Sequence, residues 1–254
     1  MGKLENKNAI VTSGGQGIGK EIAIELIRQG CNVAVSSYSS RDGADEVLAF
    51  ARENNRRAEA FKADVTIEQD CVELVKNAVS FLGGLDILVN NAGSLVKRCW
   101  LGDMTTEFWN NIFDINMTSM MVITREAVPH LSKAEEGASV VNLSSLAGRK
   151  GGHAGSLAYG TAKGAVLTWT RALAAELGPM GIRVNALAPG LILGTSFHST
   201  HTTPESAQQT ISQIPIGRAG NPADIARAAA YFASEYDGFI SGATLDINGG
   251  VYCA

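Results

Sequence analysis

Tyr159 and Lys163 stand four residues apart in Tyr159-Gly-Thr-Ala-Lys163. On a helix, positions i and i+4 share a face, so phenol and ammonium would lie side by side. A cation there favours the phenolate and lowers the tyrosine pKa from its usual value of about 10. Such a tyrosine can donate or accept a proton near neutral pH, as general acid–base catalysis requires. Ser144-Ser145 ends an apolar run, where a hydroxyl could hold a carbonyl oxygen close to Tyr159. Taken singly, a Tyr–Lys pair is also an ordinary solvated pair, and two serines after a strand are an ordinary polar turn.

A second constellation is Thr12-Ser13-Gly14-Gly15-Gln16-Gly17-Ile18-Gly19. A dinucleotide pyrophosphate is bulky and doubly charged. It needs the N–H groups of a helix N-terminus and no Cβ in the way. Glycines at 14, 15, 17 and 19 would allow that approach. A strand before and a helix after are the context that gives a glycine run meaning. Asn90-Asn91-Ala92-Gly93 also follows an apolar run. Ligands of open sheets collect at the carboxyl ends of strands, so these small and polar residues would border the same ligand.

The elements that must hold these groups are legible as an alternation. Short apolar runs at Asn8–Thr12, Asn32–Ser37, Ala58–Lys62, Asp86–Val89, Ser139–Leu143, Arg183–Leu187 and Ala243–Ile247 predict seven strands. Between them, apolar residues recur at helical spacing. Ile18, Ile22, Ala23, Leu26 and Ile27 mark a helix that Gly30 caps, and further helices are predicted over Asp42–Asn55, Thr66–Leu82, Thr105–Ser132, Leu157–Leu177 and Pro222–Ser234. Thr66 with Gln69 reads as a capping box. Continuous apolar strands between helices indicate a parallel sheet covered on both faces. The expected architecture is a single α/β domain over 1–254 with a parallel sheet between helices. The irregular stretch Gly194–Pro215 is expected as a lid over the site.

Composition narrows the function. Apolar residues make up 45% of 254 residues and the net charge is −4, which excludes a disordered chain and argues against nucleic-acid binding. No run reaches the ~18 apolar residues a membrane span needs. Cys31, Cys71, Cys99 and Cys253 form no CxxC pair and read as reduced thiols of a cytoplasmic protein. His198 and His201 are three apart but have no cysteine or carboxylate cluster beside them, so no metal is expected. His153 reads as a surface loop residue. Cys99-Trp100 falls at the mouth of the expected site, facing substrate or packed under the lid.

Together these residues resemble the short-chain dehydrogenase/reductase family in its compact form, over essentially the whole chain. Arg183-Val184-Asn185, Pro189-Gly190 and Asp246-Ile-Asn-Gly-Gly250 add to the likeness. It is nearest to 3-oxoacyl-carrier-protein reductases and bacterial sugar or alcohol dehydrogenases. The resemblance implies a doubly wound, Rossmann-like α/β fold with a seven-stranded parallel sheet, and hydride exchange between a nicotinamide and a small or medium carbonyl or secondary-alcohol substrate (a 3-oxoacyl thioester, ketone or sugar), in a homotetramer. It implies Tyr159 as proton donor in reduction and base in oxidation, and Lys163 on the nicotinamide ribose. Ser145, rather than Ser144, would polarise the carbonyl, and Asn116 would support a water and proton relay to Lys163. Cofactor contacts would come from Ser13, Gly14, Gly15, Gln16, Gly17, Ile18 and Gly19, and from Asn91, Ala92 and Gly93. Asp64 and Val65 would lie beside the adenine, and Pro189, Gly190, Ile192 and Thr195 near the carboxamide. A regulator without turnover would keep the glycine loop but could drop Ser145, Tyr159 or Lys163, and all three are present.

NAD-preferring Rossmann proteins place an acid at the end of the second strand, on the ribose 2′-hydroxyl. Ser37 stands there, followed by Tyr38, Ser39, Ser40 and Arg41. Serine does not repel a 2′-phosphate, and Arg41 could bind one by a charge-assisted contact. Gln16 stands where many NADP-dependent relatives carry a cation. The balance favours NADP(H) over NAD(H), with dual use open. Three departures from the family pattern stand out. Ser13 replaces a glycine and would be strained if that position needs positive φ. Ser145 and Tyr159 are 14 apart rather than 13, so Leu146–Ala158 should bulge. Thr195 falls one residue late.

Overall fold

The computed structural model describes residues 4–38, 41–234 and 238–254; Ser39 and Ser40 lie outside the described residues. Seven parallel strands form one sheet: β1 (Asn8–Val11), β2 (Asn32–Ser37), β3 (Ala58–Lys62), β4 (Ile87–Asn90), β5 (Ala138–Leu143), β6 (Ile182–Pro189) and β7 (Thr244–Ile247). Their order is β3-β2-β1-β4-β5-β6-β7. The order reverses between β1 and β4, where Ala9, Ile10 and Val11 pair with Ile87, Leu88 and Val89.

Successive strand residues face opposite sides, and both sides are buried. Val11, Val35, Val89, Val141 and Leu187 pack against one helix layer, formed by α1 (Gly17–Arg28), α2 (Arg41–Glu53) and α10 (Pro222–Ala233). Ile10, Ala34, Leu88, Val140 and Val184 pack against the other, formed by α3 (Glu68–Leu82), α5 (Ser119–Leu131) and α7 (Leu157–Leu177). The five inner strands read as near-continuous apolar runs because neither face meets water, whereas the edge strands β3 and β7 are only partly buried.

The structure corrects several expected details. Thr66 caps nothing: its N–H and hydroxyl both bind Asp64 Oδ1, at 2.9 and 2.7 Å, and α3 begins at Glu68. The helix expected over Thr105–Ser132 divides into α4 (Thr106–Phe113), a π turn over Asp114–Thr118, and α5. Asn116 Nδ2 donates to Ile112 O at 2.8 Å, taking the carbonyl that its own backbone N–H would use in a regular helix. The segment Leu146–Ala158 does not simply bulge, since it opens with a short helix, α6 (Leu146–Lys150), closed by Gly151 in the left-handed region. The Gly194–Pro215 stretch carries two helices, α8 (Ser196–His201) and α9 (Pro204–Ile211). Among the described residues, no helix is long and apolar enough to cross a membrane.

Candidate active site

A cavity of about 360 Å³ lies along the carboxyl edge of the sheet. Its floor comes from the turn after β1, at Ser13, Gln16, Gly17 and Ile18, and from Asn91 and Gly93 after β4. Ser144 and Ser145 after β5, Pro189 at the end of β6 and Gly190, Leu191 and Ile192 beyond it extend it. Tyr159 and Lys163 of α7 form one wall, and α8 with part of α9 form another.

The glycine turn divides its tasks. Gly17 borders the cavity and has φ +51°. A Cβ on Gly14 would sit 2.6 Å from Val35 Cγ1, and one on Gly19 would sit 2.3 Å from Ser13 O. Those two glycines let α1 and β2 approach the turn, so their need for glycine is one of packing. Ser13 does take positive φ, +51°, a conformation costly to residues with a Cβ. Ser13 N donates to Ser36 Oγ at 2.9 Å, which helps to hold it there. The N-cap of α1, Gln16, makes no side-chain capping bond, and Gln16, Gly17 and Ile18 of this first turn border the cavity.

The turn is locked to β4 by Thr12. Its Oγ1 donates to Val89 O and accepts from the N–H groups of Asn91 and Ala92, each at 2.9 Å. Asn91 Nδ2 returns a bond to Thr12 O at 2.9 Å.

The two serines play different parts. Ser144 is buried, and its Oγ donates to Lys163 O at 2.7 Å, fixing β5 to α7. Ser145 is the N-cap of α6, its Oγ accepting from Ala147 N at 3.1 Å, and it borders the cavity next to Tyr159. Gly148 lets α6 lie on α7, since a Cβ there would be 2.6 Å from Lys163 C and O. Arg149 ties α6 to β7 through two bonds to Asp246, at 3.0 and 3.1 Å.

Lys163 is buried, and its Nζ donates to Leu143 O at 2.8 Å. Burial lowers its pKa to about 8. Burial pushes Tyr159 up to about 12, opposed by a hydrogen bond with Ser145. The expected lowering of the tyrosine pKa by Lys163 is therefore not what this arrangement gives. The ammonium lies 5.9 Å from the tyrosine ring centroid and is turned toward Leu143, so desolvation of the phenolate dominates. Asn116 comes to the same place: a Cβ on Gly93 would sit 2.7 Å from Lys163 Nζ and 2.8 Å from Asn116 Oδ1.

Not every expected residue borders this cavity. Gly14, Gly15, Gly19, Ala92 and Asn116 lie behind its wall; Ser37, Tyr38, Arg41, Asp64 and Val65 lie outside its lining. Tyr38 and Arg41 are exposed there. Ile192 and Thr195 line the cavity, and so does His153, although it is exposed. Trp100 is exposed, Cys99 is buried, and neither lines it. His198 Nδ1 lies 2.9 Å from Thr202 Oγ1. Two contributors were missed in the sequence. Phe197 packs against Tyr159 with the rings tilted by 38° and 5.7 Å apart, and its signal was its place as the sole Phe, Tyr or Trp in a Ser/Thr/His-rich segment. Arg98 lines the cavity from the loop after β4 and had no sequence signal of its own.

A doubly wound parallel sheet with a glycine turn after its first strand, and Ser, Tyr and Lys at one cavity on its carboxyl edge, is the architecture of a dinucleotide-fold oxidoreductase. A family model described as enoyl-(acyl carrier protein) reductase matches residues 13–252. Glucose 1-dehydrogenase 2 of Bacillus subtilis is 35% identical over 248 residues, covering 98% of this chain and 95% of that protein. A 3-oxoacyl-[acyl-carrier-protein] reductase of Staphylococcus aureus is 35% identical over 246 residues, covering 97% and 98%. The solved 7 alpha-hydroxysteroid dehydrogenase complexed with NADH and 7-oxo glycochenodeoxycholic acid superposes with a TM-score of 0.91 at 35% identity, covering 98% and 95%. The chain belongs to the short-chain dehydrogenase/reductase family and is an oxidoreductase.

Proposed function

We propose that this chain uses Ser145, Tyr159 and Lys163 to reduce a carbonyl, or oxidise a secondary alcohol, with a nicotinamide dinucleotide. The observation that carries the reading is the meeting of these three residues at one cavity that also reaches the glycine turn. The residues present fit such a cofactor. The first turn of α1 lacks a side-chain cap, and among the described residues no Asp or Glu lines the cavity to repel a pyrophosphate. Ser13–Gly19, Asn91–Gly93, and Pro189, Gly190, Ile192 and Thr195 would hold it, with Lys163 on the ribose and Asp64 and Val65 beside the adenine. When bound, the nicotinamide supplies or takes up the hydride.

Ser145 Oγ and Tyr159 Oη hydrogen-bond the substrate oxygen, and Tyr159 donates the proton in reduction. Burial keeps the phenol protonated near neutral pH, which is the form reduction needs. In oxidation the same oxygen must lose its proton, so Lys163 must turn from Leu143 O toward the phenol side. Asn116, held through both amide atoms, fixes the neighbourhood of that ammonium. The segment 194–215 acts as the lid, with Phe197 closing on Tyr159.

Ser37 and the exposed Tyr38 and Arg41, with no acid at the strand end, support NADP(H) as the preferred cofactor, with NAD(H) also accepted. The fully exposed Phe239 and the exposed Leu245 and Tyr231 support burial against further copies, and the assembly is a homotetramer. The test is absorbance at 340 nm with ketones, β-keto thioesters and sugars, using NADH and NADPH in parallel. Tyr159→Phe should lower kcat by ~10²-fold or more, within the range general acid–base catalysis contributes. Near-wild-type turnover in that variant refutes the assignment.

A further inference from the structure

The protein carries a net charge of −4, yet among the described residues the cavity wall contains no aspartate or glutamate. It does contain Arg98 and Lys150 in addition to Lys163. The two extra cations stand apart from the glycine turn. Lys150 ends α6, the helix that Ser145 caps. Arg98 lines the same cavity from the loop after β4 and is tethered there: Nη1 donates to Ala154 O at 2.9 Å and Nη2 to His201 O at 3.4 Å. Those bonds use two of the five guanidinium N–H groups. Lys150 is exposed and forms no ion pair with any described residue. A helix C-terminus attracts a lysine for its dipole alone, but that does not account for the missing acids on every other wall. Arg183, Arg218 and Arg227, outside the cavity, all have partners: Arg218 and Arg227 share Asp224, and Arg183 binds backbone carbonyls.

The histidines of the same wall do not add to this charge. Burial holds His198 down to about 4 and lowers His201 as well. Their rings pack edge-on against Phe197, at 5.1 and 5.2 Å. The substrate side therefore offers an aromatic surface next to Tyr159 and two solvent-facing cations beyond it.

We propose that Arg98 and Lys150 form an anion subsite, and that the carbonyl substrate carries a carboxylate or phosphate which this pair holds while Ser145 and Tyr159 engage its carbonyl. This rests on the oxidoreductase reading of the same site and names its substrate class. A carboxylate facing Arg98 gains the geometry of paired N–H donors. Lys150, as a compact and hydrated cation, adds attraction and steering that salt will screen.

The test uses the dinucleotide-loaded protein and a panel of four- to eight-carbon oxo acids, each with its methyl ester and with a phosphate-bearing ketone of similar length. Binding is followed by ligand-observed NMR and turnover at 340 nm. In the wild type at least one anion should bind ~10-fold more tightly than its neutral counterpart, a difference of about 1.4 kcal/mol, and 0.5 M NaCl should shrink that advantage. Lys150→Glu should reverse it, and Arg98→Gln should reduce it. Lys150 is exposed, so its replacement leaves the fold intact and keeps the test decisive if Arg98→Gln proves unstable. The carboxylate and phosphate arms show which anion is preferred. Absence of any acid-over-ester advantage across the panel, or an advantage that survives Lys150→Glu, overturns the subsite. Selective anion binding without consumption of NADH or NADPH leaves the subsite standing and instead counts against the oxidoreductase reading.

Discussion

Replacing Gly93 by alanine tests whether the Lys163 ammonium must occupy its present place. Gly93 has negative φ, so alanine can adopt its backbone. The added methyl would lie 2.7 Å from Lys163 Nζ, 3.3 Å from Lys163 Cε and 2.8 Å from Asn116 Oδ1. Ordinary contacts need roughly 3.5–4.0 Å, so both groups must give way, by up to about 1 Å each. Asn116 cannot yield easily: its amide donates to Ser94 O and Ile112 O, both at 2.8 Å, and accepts from Ser94 N at 3.1 Å. The lysine, on a long flexible stem, moves further and gives up its 2.8 Å bond to Leu143 O, while the Asn116 amide shifts against its own bonds. A hydrogen bond from a charged group is worth about 1.5–3 kcal/mol. At roughly 2–4 °C per kcal/mol for a chain of this size, the lysine bond alone lowers Tm by several degrees, and the displaced Asn116 amide adds to this. Misplacing a group at a reacting centre by about 1 Å can cost ~10²-fold, so kcat should drop by that order with the KM for dinucleotide raised. Gly84→Ala is the control, because its Cβ meets nothing closer than 3.8 Å. Steady-state rates at 340 nm and a thermal melt decide the matter. Gly93→Ala with turnover within threefold of wild type would refute the reasoning that Lys163 must stand where it does.

Other outcomes follow from the same geometry. Ser13→Gly removes a Cβ from a residue at φ +51° while keeping its backbone bonds, so the protein should gain ~1 kcal/mol, read as a rise in Tm; a fall in Tm would show that the Ser13 side chain stabilises the turn. Arg149→Met should cost on the order of 3 kcal/mol, because it strands a largely buried Asp246, and it should also lower kcat by loosening the helix that carries Ser145. A double-mutant cycle with Asp246→Asn that shows no coupling would exclude that link. Lys163 titrates near 8 in the folded chain against an ordinary 10.5, so between these values the unfolded chain binds more protons and stability attributable to this group rises with pH. Lys163→Met should flatten the wild-type curve between pH 8 and 10.5 in denaturant titrations, and a difference curve without slope there would contradict the shift. Asp224 is held down to about 2 by Arg218. Its stabilisation is complete above its ordinary value and is lost as pH falls toward 2, so Asp224→Asn should be less stable at pH 7 and should lose less on acidification.

The sheet was readable in the sequence because burial on both faces leaves unbroken apolar runs; only ends moved, as where β6 continues to Pro189. The motifs likewise lie where strand ends put them, since a strand followed by polar or small residues marks the carboxyl edge. What escaped was set by contacts between distant residues. The π turn exists because one side chain, Asn116, competes for one carbonyl, and apolar periodicity does not register a single inserted residue. Helix α6 is only five residues long and forms where Gly148 fits against Lys163 and Arg149 reaches Asp246, partners 15 and 97 positions away. The tyrosine pKa was misjudged because spacing shows that Lys163 is near but not that its ammonium faces Leu143. Arg98 became part of the wall only through its bonds to Ala154 and His201.

The Thr12 junction also bears on how the molecule is made. Its bonds to Val89, Asn91 and Ala92 bridge 77 to 80 positions, and Lys163 joins Leu143 and Ser144 only after α7 has been synthesised. A nascent chain that ends before β4 therefore has the glycine turn with its lock missing, and one that ends before α7 has a groove with an open side. Closing loops of this length costs chain entropy that grows slowly with size but must be met before any contact at the junction repays it. Recovery of dinucleotide binding during refolding should accordingly lag the return of helical circular dichroism, because helices form locally while the groove waits for the two halves of the sheet to meet.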